Sequence, residues 1–191
     1  FFENPEVKIL LADGHSCILH KRLTQSVRGK EGFVSTHAIT FVRRGRLRVE
    51  CTEGPFLEIP EGGMVLLPKG IYTVTDIFPV SGDFEAVMFF LEKSTLETFV
   101  ETLDLPPVRA SAATPVLLET NETISNFIHF LLETYQNNPK NARYLVHLKL
   151  SELLHLLDAA SPDGRFAATV SNLNNRERRS LRDFMEVNFS R

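Results

Sequence analysis

Cysteine is scarce: Cys17 and Cys51 are the only two among 191 residues. Two thiols cannot staple a chain of this length, which excludes a disulfide scaffold and makes a reducing cytoplasm the simplest setting. Each stands among strand-forming residues, where a cysteine behaves as a small buried apolar group. No apolar run approaches the roughly 20 residues that a membrane span needs, so no membrane partner is expected. A basic excess is lacking too. The 21 Lys and Arg against 24 Asp and Glu leave a net charge of −3, and nothing global marks a nucleic-acid-binding surface. The opening FFENPEVKILLADG has neither a basic stretch nor a small-residue cleavage site. It is read as no signal peptide, and its missing initiator methionine as the mark of a fragment. Internal repeats and low-complexity segments are absent.

What is present is ordinary globular material. Hydrophobic residues at 43% can fill a sizeable core. The length suits one compact domain, or a small domain with a helical appendage. Up to about residue 92 the chain is a series of short apolar or alternating runs, SCILHKRL, HAITFVRR, RLRVEC, MVLLP, IYTVTD and FEAVMFF. Between them lie RGKEG, RG, TEGP, PEGG, PKG and VSGD. Many short strands joined by Gly/Pro turns predict a barrel or sandwich. No helical pattern intervenes, which argues against parallel β-α-β winding.

After residue 93 the period becomes helical. Ser94 with Glu97 fits a capping box. Thr114-Pro115 reads as an N-cap with proline at the first helical position. Ile124, Phe127, Ile128, Leu131 and Tyr135 then recur at helical spacing. NNPKN breaks that helix, ARYLVHLKLSELLHLLDAA forms a longer one, and SPDG stops it. Asn174 with Glu177 is expected to open a last helix whose apolar stripe is Leu181, Phe184 and Met185.

The long helix carries two apolar faces. Val146, Leu150, Leu153, Leu154 and Leu157 form one; Leu145, Leu148 and Leu156 form a second, edged by Lys149 and Glu152. Together they exceed the roughly 100° stripe that one-sided packing requires. The second face is therefore expected to meet a partner helix, best the same helix of a second protomer. The alternative is that a neighbouring helix covers both faces.

HAITFVRRGRLRVE and LEIPEGGMVLLPKG resemble the barrel passages of the AraC/XylS family of transcription regulators, with Gly63 where the family commonly has Asp. AATPVLL, HLKLSELLHLLDAASPDG and LNNRERRSLRDFMEVNFSR, in that order and spacing, resemble the subgroup that controls type III secretion. The resemblance implies an α+β fold: a cupin-like β-barrel of jelly-roll type over 1–92, a helical dimerisation region over 93–174, and from 175 the start of a linker helix toward a helix-turn-helix half that this chain lacks. It implies a homodimer joined through the long helix, with Leu145, His147, Leu148 and Lys149 at the matching positions. Promoter DNA would be bound only by the missing half. The signal would be a small apolar ligand in the barrel or a regulatory partner protein.

Cupin enzymes hold a metal with three histidines and a glutamate. Laying that pattern on this chain puts Gly32, Val34, Ala38 and Thr73 in the four places, so neither metal nor catalysis is expected and no cofactor is implied. The rival reading is a stand-alone cupin enzyme or a metal-free ligand-binding cupin. Val34, Ala38, Thr40 and Thr73 are the candidates for lining a barrel pocket, and all are small and uncharged. Phe33, Phe41, Tyr72, Phe78 and Phe84 supply aromatic surface.

Other polar residues read as structural. His15, Cys17 and His20 look like a ligand cluster, but strand alternation sends His20 to the face opposite the other two. His37 should face away from the barrel interior. Arg43, Arg44, Arg46 and Arg48 fit a solvated strand face, since Arg46 and Arg48 alternate with Leu47 and Val49; the runner-up is a docking surface for an acidic partner or for the absent DNA-binding half. His147 and His155 differ by about 80° and about 12 Å along one helix and cannot share a metal.

Overall fold

A computed structural model of the chain describes residues 6–24, 30–51, 56–80, 82–103, 114–135 and 139–175. Ten strands make two antiparallel sheets. They are β1 (Val7–Asp13), β2 (Ser16–Leu23), β3 (Lys30–Val34), β4 (His37–Arg44), β5 (Arg46–Cys51), β6 (Leu57–Ile59), β7 (Met64–Leu67), β8 (Gly70–Ile77), β9 (Phe84–Leu91) and β10 (Val116–Leu118). The larger sheet runs β1-β2-β9-β4-β7-β10 and the smaller β3-β8-β5-β6. The helices are α1 (Lys93–Glu101), α2 (Glu122–Thr134) and α3 (Ala142–Ala159), with a further helix, α4, over 165–175.

The sequence shows why the layers stack this way. The smaller sheet covers one face of the larger sheet and the helices cover the other, so its central strands are buried on both faces. HAITFV, MVLL and FEAVMF accordingly carry almost no polar interruption and are buried throughout. Strand β8 has one solvated face and alternates. Between the sheets lie Leu23, Ala38, Val42, Leu47, Val49, Ile59, Val65, Leu67, Tyr72, Phe84 and Ala86. Between the larger sheet and the helices lies a bigger core running from Leu10, Ile18, Ile39 and Phe89 to Leu96, Ile124, Val146, Leu150 and Phe166.

Two irregularities serve this packing. The register of β1 slips between Ile9 and Leu11, and Leu10 and Leu11 are both buried in the helix-side core. A second slip, between Val42 and Arg44, precedes the tight β4–β5 turn. There Gly45 has φ +87°, and a Cβ would stand 2.6 Å from the Ile77 carbonyl oxygen, so only glycine fits.

The helical region departs from expectation in three places. The helix expected from Thr114-Pro115 is instead β10, which pairs Val116 with Leu66 and Leu118 with Met64 of β7. Helix α2 starts later, at Glu122, where the Asn121 side chain accepts the Ile124 N–H at 3.0 Å, as a good N-cap residue does. At α1 the N-cap is Glu92 and no side-chain cap bond forms, so the Ser94–Glu97 box is not made. Asn174 does not open a helix, because α4 already runs from 165. Leu181, Phe184 and Met185 lie outside the described residues. The long helix matches its expected span, and SPDG ends it with Gly164 at φ +72°.

Candidate functional site

Helix α3 lies along β1 and β2 and packs against α1 and α2. Val146, Leu150, Leu153, Leu154 and Leu157 are buried in the helix-side core. The second stripe is less uniform. Leu145 and Leu156 are half-buried against that core, whereas Leu148 is 65% exposed. Tyr144, one turn earlier on the same helix, is 62% exposed, and Phe130 of α2 is 46% exposed. Lys149 places its Nζ 4.9 Å from the Phe130 ring centre. It also donates to Glu152 Oε2 at 2.7 Å. His147 turns the other way and meets Asp13 of the β1–β2 turn at 3.1 Å. The exposure of Phe130 was missed in the sequence, where this residue lies off the apolar face that defines α2.

The barrel interior differs from its expected lining. Strand pairing sets Gly32 opposite Tyr72 and Val34 opposite Gly70. Tyr72 is buried between the sheets, with Val34 and Val74 packed against the same core, so even-numbered residues of β3 and β8 face inward. Thr73 therefore stands on the outer face, opposite Glu31 and Glu50. This corrects its placement in the pocket and at a metal place. Ala38 and Thr40 are buried, and Ala38 belongs to the between-sheet core. Tyr72 fills the inward position instead. Its hydroxyl donates to the Pro68 carbonyl at 2.7 Å, and burial pushes its pKa up to about 12. Phe33 lies on the outer face directly opposite Ile71, and both are exposed.

The interior also holds charge. Lys21 Nζ bonds Asp76 Oδ2 at 2.5 Å, with the two side chains 15% and 3% exposed. The ammonium sits 5.4 Å from the Phe84 ring centre. On the helix-facing side of the larger sheet, beyond the apolar core, Glu85 Oε1 accepts from Arg43 at 2.7 Å and meets His20 Nε2 at 2.6 Å. Burial would raise the Glu85 carboxyl, but the bonds from Arg43 and His20 outweigh it and hold it below the usual carboxylate range. His20 is held below 6.5, chiefly by burial.

The remaining polar residues have structural partners. Burial pushes the Cys17 thiol up to about 12, aided by the Glu92 carboxylate, which leaves it unreactive. Arg46 and Arg48 pair with Glu58 on the solvated face. The His37 Nδ1 accepts from the Lys69 N–H at 3.2 Å, and His155 stands edge-on to Phe99. Among the described residues no group of three His, Cys, Asp or Glu side chains is placed to hold a metal ion, and no helix is long and apolar enough to cross a membrane.

A two-sheet, cupin-like module with a helical layer on one face is the architecture of the regulatory half of AraC-type transcription regulators. The family model described as "ExsA N-terminal regulatory domain" matches residues 37–169, and this chain belongs to that family. Among solved structures, apo ToxT K231A from Vibrio cholerae shares 9% identity, with a TM-score of 0.57 over 78% of this chain and 58% of that one. Wild-type ToxT with an unsaturated fatty acid bound gives 9% identity and 0.54 over 78% and 56%. A cupin domain from Bordetella pertussis gives 16% identity and 0.37 over 45% and 91%. For the two ToxT structures, at 9% identity, the likeness is one of fold. The chain spans about 58% of the ToxT chain that it matches. No curated protein sequence matches it.

Proposed function

We propose that this chain is the regulatory and dimerisation half of a cytoplasmic transcription activator and does no chemistry of its own. Promoter DNA is bound by a helix-turn-helix half outside this sequence. Two copies pair through α3, which holds two DNA-binding halves together and raises the effective concentration of each at its half-site. The observation that carries the reading is the exposure of the large apolar residues Tyr144 and Leu148, one turn apart on α3, within the family match. The interface is proposed to comprise Leu145, Leu148 and Leu156, with Lys149 and Glu152 around them and His147, turned toward Asp13, at its margin. Sedimentation of the purified chain tests it: a dimer that dissociates on dilution is expected, and a monomer at every concentration contradicts it.

The signal is proposed to be a partner protein rather than a molecule inside the barrel. Tyr72, Phe84 and the Lys21–Asp76 pair fill interior positions that a ligand would need, which supports this reading. Binding of a small apolar compound that shifts the resonances of Tyr72 and Phe84 would contradict it.

A further inference from the structure

Contacts from two distant elements converge on the short turn Asp13–Ser16 between β1 and β2. Glu92, at the junction of β9 and α1, accepts two successive backbone N–H groups with one oxygen: His15 at 2.8 Å and Ser16 at 3.1 Å. From the other side, His147 of α3 meets Asp13 Oδ2 at 3.1 Å. Ser16 is fully buried while Asp13 and His15 are exposed. The turn is thus pinned on its inner side by Glu92 and touched on its outer side by α3.

Glu92 is placed oddly for a residue with only a structural duty in its own helix. It occupies the N-cap position of α1, where a side-chain oxygen usually accepts an N–H of the first turn, yet it makes no such bond. Its carboxylate reaches back more than seventy residues along the chain instead. Gly14 accommodates it twice over. Its φ of +59° suits the two-residue turn, and a Cβ there would stand 3.3 Å from the same Glu92 oxygen. Charge-assisted bonds of a carboxylate to backbone N–H groups are among the stronger ones. Strand β1, which enters the turn, is one of the strands along which α3 lies.

We propose that Glu92 is a positioning residue for α3. By fixing the β1–β2 turn it sets the seat of the N-terminal half of α3, so a shift at the β9–α1 junction is felt at that helix. The consequence for dimerisation rests on the function proposed above; the joint itself does not.

Site-resolved amide exchange on the whole chain tests this, with variants Glu92→Ala, Glu92→Gln, His147→Ala and the double variant Glu92→Ala/His147→Ala. Glu92→Ala should speed exchange at His15 and Ser16 by roughly ten-fold or more, a local opening rather than a global one. It should also speed exchange over the first turns of α3, Arg143–His147, and leave β4 and β7 unchanged. Glu92→Gln keeps an acceptor oxygen and should restore most of the protection. At α3 the double variant should show less than the product of the two single effects, because both act through one joint. A loosened turn with α3 unchanged, independent multiplying effects, or a uniform rise that includes β4 would each overturn the proposal. All exchange measurements are made in the Leu148→Glu background, so a change in dimer protection at α3 is not mistaken for a change in the joint, and failure of the dimer reading leaves this one standing or falling by itself.

Discussion

The two cores of this molecule are built differently. The core between the sheets is closed: it holds Leu23, Ala38, Val42, Tyr72 and Phe84 and, at one end, the Lys21–Asp76 ion pair. The core between the larger sheet and the helices is larger, with the Glu85–His20–Arg43 cluster beyond its apolar part. Its half-buried fringe includes Leu132, Tyr135, Leu145 and Leu156, and beyond that fringe stand the exposed Phe130, Tyr144 and Leu148. A monomer gains nothing by keeping three large apolar side chains in water, since roughly 25 cal/mol is recovered per Å² removed from it. The barrel also keeps large apolar side chains exposed, Phe33 opposite Ile71 and, elsewhere, Phe56, so exposure alone does not set the helical layer apart. The dimer surface is proposed to lie on the helical layer, within the family match.

The sharpest way to break the comparison is through the closed core. Lys21→Met leaves Asp76 buried without a counter-charge. Loss of one partner of a buried pair costs about 3–5 kcal/mol, so denaturant unfolding should show a loss of that size. A change below about 1 kcal/mol would mean that water reaches this end of the barrel and that the core is not closed.

A second measurement compares the two faces of α3 directly. Leu150 is fully buried, and Leu150→Ala should cost about 2–5 kcal/mol. Leu148→Ala, two residues away on the open face, should change the stability of the monomer by no more than about 0.5 kcal/mol. Equal losses in dilute solution would place Leu148 in the monomer core.

The smallest effect is that of pH, and it belongs to the helix-facing side of the larger sheet, beyond the apolar core. His20 has a folded pKa lowered from 6.5, chiefly by burial, with Arg43 and Lys8 adding and Glu85 opposing. The unfolded chain therefore binds more protons there, and stability present above 6.5 declines as pH falls through that value. The Glu85 carboxyl is lowered from 4.5, so its contribution is present above 4.5 and is lost as pH falls through the folded value beneath it. Melting temperature should fall in two stages from pH 8 toward acid, and His20→Gln should remove the upper stage alone. A flat profile between pH 7 and 5 would contradict the burial of His20.

Much of the fold was legible because its signals are local. MVLL and IYTVTD between Gly/Pro turns are strands, and α3 has both a helical period and the stops NNPKN and SPDG. The misreadings come from interactions that no local pattern carries. Three residues of β10 are held by pairing with β7, while Thr114-Pro115 has the look of a helix start. Thr73 missed the interior because a one-residue shift on a strand sends a side chain to the other face. Lys21 and Asp76 stand on strands where a charge reads as solvated, and only the closing of one sheet over the other brings them together. Glu92 carries no local signal, since its bonds run to a turn far away in the chain. The second stripe of α3 was visible as a period, but the exposure of Phe130 on α2 was not.

The open face of α3 is proposed to be covered by a second copy. Leu148→Glu tests it most directly, by sedimentation velocity beside circular dichroism. A charge buried without a partner at that seam costs several kcal/mol, enough to weaken a micromolar dimer by two or more powers of ten. The account predicts a monomer with the circular dichroism and melting temperature of the folded chain, next to a parent protein that is dimeric. A folded variant with the parent's dissociation constant would contradict it and put the interface elsewhere; an unfolded one would return Leu148 to the core of the monomer.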